Sequence, residues 1–218
     1  MQYIPRIIDE TISLYLDIFG AVTIRGPKWC GKTTSAEKHA RSIIKLQDPD
    51  FSAVYQQTAA VKPSLLLNGE NPRLIDEWQD IPELWDAVRV DTDNRKGETG
   101  LYLLTGSSVI TKKQKDRIKH TGTGRIARLE MLPMSLYESG DSNGRISVSG
   151  IFDNPSMDID GIASDSSLED LIAAACRGGW PESIGKSSTA AGIIVRQYVK
   201  SLCESDVSRY LDEDLDPA

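Results

Sequence analysis

Apolar residues recur at spacings of three and four from Ile4 through Ile7, Ile8, Ile12, Tyr15 and Ile18 to Phe19, which predicts one helix over 4–19, ended by Gly20. The period then changes. Ala21-Val22-Thr23-Ile24 is a continuous run, the mark of a strand covered on both faces, and Ala36, His39 and Ala40 outline a short amphipathic helix after it. Residues 42–46 suit helix or strand by period, and the turn signal Gln47-Asp48-Pro49 decides for a strand. A polar, weakly patterned helical connection over 50–72 is broken at Pro63, Asn68-Gly69 and Asn71-Pro72. Further strands are predicted at 73–76, 101–104 and 125–132, the last stopped by Pro133, with a helix over 81–88 and a charged surface loop over 91–100. Such alternation predicts an α/β fold with a parallel sheet flanked by helices. The core takes 1–138. Residues 139–166, rich in Ser, Gly, Asn and Asp, read as a flexible insertion or linker, and 167–218 as a helical region with helices at 168–175 and 193–211.

The first strand runs into Gly26-Pro27-Lys28-Trp29-Cys30-Gly31-Lys32-Thr33-Thr34, a full match to GxxxxGK[ST], the Walker A loop. Each fixed position has a chemical task. Backbone N–H groups must approach triphosphate oxygens closely, and Gly26 and Gly31 remove the Cβ atoms that would obstruct them. Lys32 would reach the β and γ phosphates, and the Thr33 hydroxyl would join the shell of a Mg²⁺ ion. The helix that starts there turns its positive end toward the same anion. ATP and Mg²⁺ are therefore the expected cofactors. Cys30, inside this loop, has two readings: a thiol acidified by Lys28, Lys32 and the helix start, open to oxidation, or an inert packing residue.

Two adjacent carboxylates end the strand at 73–76. This is the arrangement a Mg-dependent NTPase needs opposite its phosphate loop, with Asp76 holding the metal through a water and Glu77 accepting a proton from the attacking water. The strand at 101–104 runs into Thr105, Gly106, Ser107 and Ser108. Hydroxyls at that place either bond the attacking water or γ phosphate, or simply form a turn. Tyr3, Ile4, Pro5 and Arg6 could form part of an adenine pocket or pack against the core.

The 218 residues, 39% hydrophobic and 26% charged, suffice for one substantial core plus a smaller segment. A net charge of −7 argues against non-specific attachment to nucleic acid or anionic membrane. The basic stretch at 111–128, with Lys112, Lys113, Lys115, Arg117, Lys119, Arg125 and Arg128, leaves a local contact face open beside the ordinary reading of a solvated helix. No apolar run approaches a membrane span, and Asp9, Glu10 and Asp17 stand where a leader would be basic and then apolar, so a cytoplasmic protein is expected. Cys30, Cys176 and Cys203 are widely spaced, which suits reduced thiols, and His39 and His120 are too separate for a metal cluster.

Taken in order, GPKWCGKTT, LIDEWQDIPELWDAV, LLTGSS, GTGR, LPMSLYESG and GGWPE resemble the bacterial and archaeal AAA-like P-loop ATP-binding proteins that carry a C-terminal domain of unknown function. The likeness covers nearly the whole chain. It implies an additional strand between the Walker A and Walker B strands, Thr105 and Ser107 as the sensor at the strand end, and Arg125 as a candidate arginine finger, with a homo-oligomer as one expected state. It also implies a longer C-terminal domain, only begun here from about residue 167. The resulting expectation is Mg-dependent ATP hydrolysis driving a switch on the C-terminal region or on a protein partner. A regulatory nucleotide-binding or nucleic-acid-tethering module with little turnover, using 112–119 as its contact face, is the alternative. A small-molecule kinase would need an acceptor site and a lid, to which no residue points.

Overall fold

The structure is a computed structural model that describes residues 3–107 and 111–206. Five strands among these, β1 (Ala21–Gly26), β2 (Ser42–Lys45), β3 (Arg73–Asp76), β4 (Tyr102–Ser107) and β5 (Ile126–Glu130), form one sheet in the order β2-β3-β4-β1-β5. Every neighbouring pair is parallel. The additional strand implied by the family resemblance is β4, which lies between β1, feeding the phosphate loop, and β3, carrying the acidic pair. Register then brings three strand ends to one edge, because Thr105 pairs with both Asp76 and Ile24, and Ser107 pairs with Gly26.

Helices cover both faces: α1 (Ile8–Ile18), α2 (Lys32–His39), α3 (Ser52–Val61), α4 (Glu83–Asn94) and the short α5 (Lys112–Asp116) in the core, then α6 (Val148–Asp153), α7 (Leu168–Arg177) and α8 (Ser188–Ser201). Strand alternation sorts the core into two clusters. Val22, Ile24, Leu74, Leu103 and Leu129 pack with Ile12 and Leu16 of α1 and Ala36 of α2. Ala21, Ile75, Tyr102, Leu104 and Ile126 pack with Trp78 and with Leu84, Trp85 and Val88 of α4. The rings of Trp78 and Trp85 lie 4.7 Å apart. Each fully buried Leu or Ile contributes about 1.5–3 kcal/mol, which fixes the central strands on which the loop is mounted.

Several elements differ from their sequence-based bounds, and the stretch read as a linker at 139–166 contains the short helix α6. Helix α1 begins at Ile8, not at residue 4, because the Asp9 carboxylate accepts from the Arg6 N–H (2.9 Å) and stops the chain from winding earlier. Helix α4 runs on through Asp91–Asn94, predicted as loop, with Arg89 and Asp93 paired at 2.8 Å across one turn. Thr105, Gly106 and Ser107 are not a turn but the last part of β4, paired with Ile24, Arg25 and Gly26. Helix α8 starts at Ser188, where Ser187 caps it by accepting from the Ala190 N–H at 3.3 Å. It ends at Ser201, where the chain passes into a π-helical turn over Leu202–Asp206; the rest of its predicted extension to 211 and the acidic end lie outside the described residues, as does Ser108. Among the described residues no helix is long and apolar enough to cross a membrane.

Candidate functional site

The phosphate loop is held tight by backbone close approach. A Cβ on Gly26 would lie 2.1 Å from the Met131 carbonyl oxygen, so the end of β1 can sit against the chain leaving β5 only as glycine. Trp29 and Gly31 follow with φ of 65° and 99°, and Cys30 between them is turned fully inward. Lys32, 5% exposed, donates from Nζ to the carbonyl oxygens of Gly26 (3.1 Å) and Pro27 (2.9 Å). A single ammonium is thus lodged in the loop's own concavity at the start of α2. Lys28, Trp29 and Pro27 line the outer side of the loop, and Thr34 is exposed on the first turn of α2.

One atom joins this loop to the rest of the site. Asp76 Oδ1 accepts from Thr33 Oγ1 at 2.7 Å and from Thr105 Oγ1 at 2.5 Å, so the phosphate loop, the end of β3 and the end of β4 meet on one carboxylate. Glu77 follows in the left-handed region at φ 56°, an unusual backbone for a non-glycine residue, which turns its side chain out of the strand alternation. Burial pushes its carboxyl above the usual range, and the nearby Asp76 charge adds to this, against a hydrogen bond from Gln79 and the field of Lys32. The site therefore combines a buried cation, two hard oxygen donors 2.7 Å apart and a carboxylate of raised basicity. Hydroxyl plus carboxylate at that spacing fits a hard cation such as Mg²⁺, which keeps several waters and takes few ligands from protein.

The sequence pattern of the AAA domain matches residues 19–140, more than half of the chain. The chain belongs to the AAA domain family. No curated protein matches it significantly. Among solved structures, a Walker-type ATPase of Pyrococcus abyssi is similar with a TM-score of 0.56 at 13% identity, over 95% of this chain and 75% of that one. A STAND-type signal-transduction ATPase of Pyrococcus horikoshii with a tetratricopeptide repeat sensor matches at TM-score 0.43 and 16% identity, over 84% of this chain and 29% of that one. The ORC2 protein of Aeropyrum pernix in its ADP form matches at TM-score 0.42 and 17% identity, over 98% of this chain and 67% of that one. At such identities the Pyrococcus abyssi likeness speaks to fold, and that fold is the P-loop NTPase sheet described above.

Within the AAA domain the predicted residues do not all gather. Lys32, Thr33, Asp76, Glu77 and Thr105 share one sheet edge. Ser107 ends β4 opposite Gly26, and its side chain lies outside the described residues. Arg125 is elsewhere. It precedes β5 at the other edge of the sheet, where its carbonyl accepts from the Ala21 N–H, about six residues and roughly 20 Å of strand away from Gly26. There it is half exposed and its Nε pairs with Asp93 Oδ1 at 2.8 Å. Arg117 of the basic stretch forks onto Glu83 at 2.9 and 2.8 Å. Side chains of Lys112 and Lys113 lie outside the described residues.

Of the two readings of Cys30, the structure favours packing. Its thiol is not acidified: burial pushes it up, outweighing the field of Lys32, and Sγ donates to the Met131 carbonyl at 3.5 Å. The polar atoms of Tyr3 and Arg6 are engaged in packing bonds. Tyr3 donates to Asp9 (2.7 Å) and meets Ser35 of α2 at 3.0 Å, and its hydroxyl is raised to about 12 by burial. Arg6, 8% exposed, donates to Glu138 (2.9 Å), Cys30 O (2.7 Å) and Leu132 O (2.8 Å).

Two features escaped the sequence reading. Tyr198 of α8 donates to the Lys28 carbonyl at 3.2 Å, and its ring lies 5.5 Å from Trp29 and 4.4 Å from Trp180. The helical region is therefore folded onto the phosphate loop itself. The other is Gln79, two residues beyond Glu77, buried in the turn after β3 with its amide on the Glu77 carboxylate. An amide set between Trp78 and Ile81 was the available signal.

Proposed function

We propose that the chain binds Mg-ATP on 26–34, hydrolyses it, and passes the change to its C-terminal helical region. The observation that carries this reading is the convergence of Thr33 and Thr105 on Asp76 Oδ1, at 2.7 and 2.5 Å, with Glu77 next in sequence. In this reading Lys32 exchanges two carbonyl partners for phosphate oxygens, a stronger charge-assisted contact. Thr33 and Asp76 would hold the metal, which would supply positive charge against the triphosphate. Glu77 takes the proton of the attacking water, and Thr105 keeps Asp76 oriented. Coupling to the helical region is supported by Tyr198, which grips the Lys28 carbonyl and stacks on Trp29 of the same loop. The tethering alternative, with 112–119 as its contact face, has less support, since a net charge of −7 opposes the approach of a polyanion.

Calorimetry and steady-state turnover on two variants test it. Lys32→Ala should abolish Mg-ATP binding, because backbone dipoles alone would then face the triphosphate. Glu77→Gln should retain nucleotide and lose turnover by about 10²–10⁴-fold, the range a general base supplies. Wild-type affinity in the first, or wild-type turnover in the second, would overturn the assignment.

A further inference from the structure

We infer that Gln79 is a positioning residue for Glu77, its carboxamide fixing the carboxylate from the turn that follows β3. The inference rests on the reading of Glu77 given above, and four observations carry it.

Gln79 is 6% exposed, and its Nε2 donates to Glu77 Oε2 in a short hydrogen bond. The opposite orientation of the amide would set oxygen against carboxylate, so the donor must face Glu77. Its Oε1 is buried and has no hydrogen-bond partner among the described residues. A buried acceptor left unmade costs about 1–3 kcal/mol, so folding alone gives no reason to keep an amide here. Room for that oxygen is left by Gly106 on β4, where a Cβ would lie 2.3 Å from it. The residue's own backbone is held from outside, because Gln114 Nε2 donates to the Gln79 carbonyl at 3.1 Å, and Gln114 is itself fixed in the capping box of α5 with Thr111. Amide, backbone and free space are thus all arranged around one contact, on a carboxylate whose backbone is in the left-handed region at φ 56°.

The discriminating variant is Gln79→Leu, which deletes the donor and keeps a side chain of comparable volume. Glu77 would then be free to leave its place, and small misplacements of a reacting group cost up to about a hundredfold. We expect kcat for ATP hydrolysis to fall ten- to a hundredfold, with KM and calorimetric nucleotide affinity changed by about twofold or less. The melting temperature should change little, because the unpaired acceptor removed with the amide offsets the hydrogen bond that Glu77 loses. Gln79→Met, also without a donor, is the second variant if Leu folds poorly.

In a Glu77→Gln background, single-turnover hydrolysis should be unaffected by the further change at Gln79, since the residue acts only through Glu77. Equal losses in both backgrounds would overturn the inference, as would a fall in kcat that tracks a fall in melting temperature. Gln79→Leu at wild-type kcat, with Glu77→Gln inactive, would overturn it while leaving the proposed function standing. Wild-type turnover by Glu77→Gln would overturn both.

Discussion

Cys30 is enclosed because the loop around it is bent the wrong way for ordinary residues. Trp29 at φ 65° and Gly31 at φ 99° reverse the chain twice, and the residue between them is driven into the cluster of Ile24, Leu74 and Met131. Its thiol accordingly stays protonated at neutral pH. Cys176 and Cys203 are exposed. A thiol reagent applied to the native chain at pH 8 should therefore label Cys176 and Cys203 quickly and Cys30 only on unfolding. Fast labelling of all three would show that the loop opens far more than its packing allows. Lys32 stands in the same tight loop for the opposite reason: its charge is tolerated only because two carbonyls already accept from it, the kind of compensation a buried cation requires.

At the scale of elements, the segment before α1 acts as a tie across the end of the sheet. Arg6 and Glu138, with side chains 5% and 7% exposed, form a buried ion pair that also holds Cys30 and Leu132 by their carbonyls. Burial alone would raise the Glu138 carboxyl, but hydrogen bonds from Ser135, Ile7 and Arg6, with the Arg6 charge, carry it below the usual range. The folded value being lower than the unfolded one, about 4.3, the pair's stabilisation is complete above that pH and is lost as pH falls through the folded value. Glu138→Gln should thus cost about 3 kcal/mol at pH 7 and progressively less below pH 4, read from thermal melts. A penalty independent of pH would remove the ion pair from the account. The sequence reading missed this tie, since Arg6 and Glu138 are far apart in the chain and neither has a local pattern. The residues that the fold gathers at the strand ends were legible because they are marked within a few positions: Gly26, Gly31, Lys32 and Thr33 lie within eight residues, and the strand at 73–76 ends in two adjacent carboxylates. Strand identity was legible for the same reason, in runs buried on both faces. Element ends were not, because Asp9, Ser187 and the pairing of Thr105–Ser107 with β1 decide them through contacts that no period encodes.

Over the whole molecule, the parallel sheet has two edges with different jobs, and Arg125 lies on the one away from the phosphate loop. A chain cannot bring that guanidinium to its own Lys32 across roughly 20 Å of strand without dismantling β1 and β5. If Arg125 supplies the second cation that charge on the γ phosphate calls for, it does so to a neighbouring copy. Its present partner is no obstacle, because an ion pair with one side chain half exposed is worth about 1 kcal/mol or less and is easily exchanged. Mixing tests this directly. Arg125→Ala chains keep an intact site and lack the arginine; Glu77→Gln chains keep the arginine and lack the base. Arg125→Ala alone should be impaired by about 10³-fold or more if the arginine acts as such cations do, Glu77→Gln alone by the loss of its base, and the mixture should recover activity in composite sites. Wild-type turnover should also rise with protein concentration as copies assemble. A mixture no more active than its parts, beside a wild type whose specific rate ignores concentration, would leave Arg125 as the partner of Asp93 alone.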